Sequence, residues 1–81
     1  MEKSPFTREY AELLKLLRAA RKKAGLTQVE LSKRLGLTQS HLSKIERGEV
    51  RLDVIQLRTF CREIGVHWLR LLADLERRIG G

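Results

Sequence analysis

A chain of 81 residues has room for one small domain and for no second catalytic lobe, because domains usually run to about 100 to 150 residues. Its formal charge of +7 favours an anionic partner, nucleic acid ahead of an anionic membrane, while 33% charged and 42% hydrophobic residues with one proline exclude low-complexity disorder. Cys61 stands alone, so no internal disulfide or multi-thiolate zinc site can form, and no apolar run approaches the ~18 residues of a membrane span.

The first helix is expected to open at Ser4-Pro5, where serine caps and proline suits the first helical position, and to run to Gly25. Tyr10, Leu13, Leu14, Leu17, Ala20 and Ala24 recur there at helical spacing as one apolar stripe. Thr27 caps a second helix, Gln28 to Leu35, stopped by Gly36, and Thr38 caps a third, Gln39 to Glu46 or Arg47, stopped by Gly48. A polar connection from Glu49 to Leu52 leads to the cap Asp53 and a fourth helix, striped by Val54, Leu57, Phe60, Cys61 and Ile64 as far as Gly65. A fifth begins at Val66 or His67 and continues through Arg78, with Trp68, Leu72, Leu75 and Ile79 in one stripe that Leu69 and Leu71 widen. No strand-like alternation or long linker interrupts this order, so the expected fold is all-α.

Two short helices meeting across Gly36 and Leu37 fit a helix-turn-helix. Counting from Gln28, a small residue, Ser32, stands at the fifth position, where the third helix approaches, and Gly36 supplies the turn at the ninth. Leu31, Leu35, Leu37, Leu42 and Ile45 provide the inward packing. Leu17-Arg18 with Arg21, Gly25-Leu26-Thr27-Gln28, Leu31-Ser32, Leu35-Gly36, Leu37-Thr38-Gln39-Ser40, Ile45-Glu46-Arg47-Gly48 and Ile64-Gly65-Val66 together resemble the lambda-repressor-like (Cro or XRE type) helix-turn-helix proteins. The resemblance implies a compact bundle of five helices whose third enters the DNA major groove. It covers residues 10–72, with the motif at 28–47, preceded by an extension and the start of the first helix over 1–9 and completed by a C-terminal helix over 66–81. The chain departs from the family at Leu52, where many members carry proline, and at Leu69, which is usually polar.

At 100° per residue, Leu42, Ile45 and Glu46 hold the inward side of the third helix, which leaves Ser40, Ser43, Lys44 and Arg47 outward on a face without an acid. From Ser40 to Arg47 this face is about 10 Å long, comparable with the ~12 Å major groove. Gln39 opens the helix, where its amide suits bidentate bonds to adenine N6 and N7, and His41 flanks the face. The resemblance adds Gln28, which braces the glutamine at position 39 and touches phosphate. Arg47 and Arg51 are expected to contact the DNA backbone. Arg21 and Glu46 each fall within an apolar stripe, and a mutual salt bridge resolves both burials, as the resemblance also implies.

The fifth helix is more apolar than one edge of a small bundle can cover: Trp68, Leu71 and Leu72 are expected to close the core, and the stripe either packs wholly within the chain or joins a homodimer through Leu69, Leu72, Leu75 and Ile79 on a pseudo-palindromic operator. The partners expected are therefore double-stranded DNA and a second copy; an antitoxin- or adaptor-type protein that binds a toxin or another protein through this helix is the rival reading. Catalysis lacks parts: His41 and His67 lie on different helices without carboxylates at metal-ligand spacing, and Cys61 belongs to an apolar stripe. No metal, cofactor, membrane contact or small-molecule effector is expected. Met1 to Pro5 lead into no apolar signal-type stretch, so the expected setting is the cytoplasm, in a bacterial or phage-like source.

Overall fold

The computed structural model describes residues 7–80 and contains five helices: α1 Arg8–Lys23, α2 Gln28–Leu35, α3 Gln39–Glu46, α4 Val54–Ile64 and α5 Trp68–Ile79. Each of the first four starts on a side chain that replaces a missing backbone acceptor. Thr7, Thr27, Thr38 and Asp53 accept from the N–H three residues on, and Glu30 and Gln56 return the bond to the Thr27 and Asp53 N–H groups. The proposed start at Ser4-Pro5 lies outside the described residues, and Thr7, in extended conformation, is the cap that begins α1. His67 makes no such side-chain bond at α5, which opens at Trp68, one or two residues later than expected.

The turn between α2 and α3 is set by Gly36 at φ 71°, a left-handed conformation that costs other residues a clash at Cβ. Leu37 N–H then donates to Ser32 C=O at 2.9 Å, and the chain re-enters a helix two residues later. Ser32 is buried, with its hydroxyl donating to Val29 C=O at 2.8 Å, so the small side chain leaves no unpaired polar atom where α3 packs on α2.

α1 lies against α3, α4 and α5, and α2 against α3 and α4, enclosing a core of Tyr10, Leu13, Leu14, Leu17, Leu31, Leu42, Ile45, Leu57, Phe60, Cys61, Ile64 and Leu71. Two stripe residues are displaced from it. Ala24 is exposed because α1 has already ended, and Val54 is exposed as the first residue of α4, beyond the reach of its neighbours. Ile55, on the solvent pole of the same helix, is 67% exposed. α5 directs Leu71 into the core and packs Trp68, Leu72 and Leu75 half-buried on its edge, while Arg78 reaches Glu12 of α1 at 3.2 Å. Among the described residues no helix is long and apolar enough to cross a membrane.

Candidate nucleic-acid interface

α3 presents Gln39, Ser40, His41, Lys44 and Arg47 exposed and Ser43 half-buried, with Leu42, Ile45 and Glu46 turned inward. Its start carries no acid, so the helix dipole and the first free N–H groups there favour an anion. His41 stands on the flank, at the rim of a groove of about 180 Å³ that Leu35, Leu37, Ile45, Ile55 and Phe60 help to line.

A hydrogen-bonded chain runs from the core to this face. Arg21 donates through Nε to Glu46 Oε2 at 2.8 Å and through Nη2 to Oε1 at 3.1 Å, and its Nη1 reaches Leu26 C=O at 2.9 Å. Glu46 Oε1 also accepts from Gln28 Nε2 at 2.9 Å, and Gln28 Oε1 accepts from Gln39 Nε2 at 3.4 Å. Arg18 donates to the Glu46 carbonyl at 2.7 Å, tying the end of α3 to α1. The Arg21 and Glu46 side chains are 8% and 7% exposed, so this bidentate pair stands away from solvent with its donors and acceptors matched. Gln28 and Gln39 continue it outward, which leaves the Gln39 amide oriented from behind and its outer edge open.

The loop after α3 adds a residue that helical periodicity cannot place. Glu49 Oε2 accepts from Arg47 Nε at 2.7 Å, and Arg47 Nη1 donates to Ser43 Oγ at 2.6 Å. The Arg47 bond holds the Glu49 carboxyl below the usual carboxylate range and raises the guanidinium in turn. An acid therefore borders a face that α3 itself leaves without one. The signal in the sequence is only the spacing of Arg47 and Glu49 around Gly48. Farther along, the Arg51 guanidinium lies 4.5 Å from the centroid of the Tyr10 ring, whose hydroxyl accepts from Leu52 N–H at 2.9 Å. Tyr10 thus seats the loop against α1.

Of the α5 residues, Leu69 is 57% exposed, Leu72 and Leu75 are half-buried against the core, and Ile79 borders a cleft with Tyr10 and Leu13. The structure does not bring His41, His67 and Cys61 together: among the described residues no three His, Cys, Asp or Glu side chains form a group able to hold a metal ion. Burial raises the Cys61 thiol above its ordinary range.

A family model described as helix-turn-helix matches residues 17–71. The chain is 51% identical to the solved structure of an XRE-family like protein from Pseudomonas syringae pv. tomato str. DC3000, covering 88% of this chain and 87% of that one with a TM-score of 0.82. It also superposes on the clp gene regulator ClgR from C. glutamicum, covering 91% of this chain and 96% of that one with a TM-score of 0.78; at 23% identity that likeness concerns the fold. Two uncharacterized HTH-type transcriptional regulators of Sinorhizobium fredii are similar in sequence. The match to y4dL is 66% identical over 32 residues, 40% of this chain and only 16% of that relative. The match to y4dJ is 38% identical over 56 residues, 69% of this chain and 73% of that relative.

Proposed function

The chain belongs to the helix-turn-helix family of XRE-type transcriptional regulators, and on that premise we propose that it reads double-stranded DNA sequence-specifically in the cytoplasm, with α3 in the major groove. The observation that carries this reading is the chain Arg21–Glu46–Gln28–Gln39, which anchors an exposed amide at the start of α3 to the core. A base reader must arrive oriented, because a bidentate bond to adenine N6 and N7 discriminates only when the amide cannot turn to suit another base. Ser40, Ser43 and Lys44 extend the reading face, His41 borders it, and Gln28 and Arg51 meet the phosphates on either side. Two copies joined around Leu69, with the exposed edges of Leu72, Leu75 and Ile79, would set two α3 helices about 34 Å apart on a pseudo-palindrome.

Selection of bound duplexes from a random pool tests the proposal, followed by titration of variants against salt. Gln39→Ala and Lys44→Ala are expected to relax the base preference, whereas Arg51→Ala weakens binding to all sequences and lowers the salt slope. The opposite pattern would move readout into the loop, and a chain that stays monomeric on and off DNA would remove the dimer. Val54, Ile55 and Leu69, all exposed, favour a second reading in which another protein, such as a toxin, is the main partner. A tight heteromeric complex without retardation of DNA would select it.

A further inference from the structure

Gly48, at φ 86°, reverses the chain after α3 and places Glu49 N–H on Lys44 C=O at 2.9 Å. From that position Glu49 takes the Arg47 Nε–H, and the guanidinium lies back along the helix with Nη1 on Ser43, one turn earlier. A side chain extended from the end of α3 toward a phosphate would have to give up both bonds. Held as it is, Arg47 still has free donors, and Ser43, which accepts from it, keeps its own proton to give.

Resting on the proposed DNA reading, we infer that Glu49 is a specificity-determining positioning residue, holding Arg47 over Ser43 so that the guanidinium addresses base edges rather than the phosphate backbone. The free N–H groups of Arg47 match guanine O6 and N7, and the Ser43 proton matches an acceptor on an adjacent base. The carboxylate also removes one cation from the sequence-independent attraction, because an Arg47 that left for a phosphate would leave Glu49 facing the same polyanion. Stability is not the purpose of this pair: its side chains are 55% and 53% exposed, where ion pairs contribute little to the fold.

The test is duplex binding by the full chain across a salt series, on a site selected for the wild type and on a scrambled duplex. Glu49→Gln is expected to melt with the wild type and to steepen the salt slope on scrambled DNA by about 0.9, the value of one added phosphate contact. The ratio of site to scrambled affinity is expected to fall about fivefold or more, the loss of one base-edge contact. In an Arg47→Ala background the same substitution leaves that ratio unmoved. An unchanged ratio for Glu49→Gln, or an equal fall with Arg47 absent, overturns the role of Glu49. A wild-type chain that retains no duplex overturns the DNA reading with it, so the two failures are told apart.

Discussion

Glu46→Ala is the most informative single perturbation of this molecule. It removes the acceptor of two Arg21 bonds and of the Gln28 amide, and leaves the guanidinium buried with only the Leu26 carbonyl. Breaking a buried pair by deleting one partner costs about 3 to 5 kcal/mol, because the remaining charge keeps its desolvation penalty and loses its counter-charge. At roughly 0.05 to 0.15 kcal/mol per residue, a chain of 81 residues has a total stability of about 4 to 12 kcal/mol. The variant is therefore expected to melt about 12 to 40 °C below the wild type, or to be unfolded at room temperature. Calorimetric melts should include Arg21→Met/Glu46→Leu, in which no charge stays buried and most of the loss is expected to return. That double variant folds but lacks the anchor of Gln28, so it should also discriminate poorly among duplexes. A Glu46→Ala melt within about 3 °C of the wild type would refute the stranded-charge argument. A double variant no more stable than the single one would assign the loss to packing.

Tyr10→Phe keeps the ring beneath Arg51 but removes the acceptor of Leu52 N–H; a loss of about 1 kcal/mol and of about 4 to 8 °C in Tm is expected by thermal melting, and an unchanged melt would show the bond to be dispensable. Cys61 is fully buried with its thiol raised above 9.0, so an aqueous disulfide reagent should label it only through unfolding. Because the unfolded thiol loses its proton first, stability should decline as pH rises above about 9. Thr27 N–H and hydroxyl bonds hold Glu30 below its ordinary 4.5. Its contribution is complete above that value and is lost as pH falls through the lowered one, a loss that Glu30→Gln should abolish in acid titrations of Tm.

The helices were legible because their boundaries are written locally. Thr27 and Thr38 with the glycines at 36 and 48 bracket α2 and α3, and a cap or a left-handed stop acts on neighbours in sequence. The pairing of Arg21 with Glu46 was open to the same treatment, since two charges inside apolar stripes need each other whatever the tertiary detail. What periodicity misses is which edge of a stripe a neighbour covers. Val54 and Ile55 share α4 with four core residues yet face solvent, and Leu72 and Leu75, whose spacing matches a partner-seeking stripe, spend much of their surface on the core. Glu49 escaped for another reason: it lies beyond a positive-φ glycine, where the angular bookkeeping of α3 stops and only coordinates relate the loop to the helix.

The same geometry decides which of the 17 lysines and arginines behind the net charge of +7 can reach a phosphate. Arg21 is paired with Glu46 in the interior, Arg47 with Glu49 at the face, and Arg78 with Glu12 between α5 and α1. Arg18 and Arg34 donate to the carbonyls of Glu46 and Glu63, so they keep their charge but lose their freedom to swing onto a phosphate. A phosphate contact needs a cation that is both charged and able to reach, and these arginines fail one condition or the other. Replacing Arg47 by Ala is accordingly expected to leave the salt slope on scrambled DNA unchanged, whereas loss of a phosphate contact would lower it by about 0.9. A slope lowered by about that amount would mean that the Arg47–Glu49 pair opens on DNA, and the specificity attributed to Glu49 would then have no fixed guanidinium to act through.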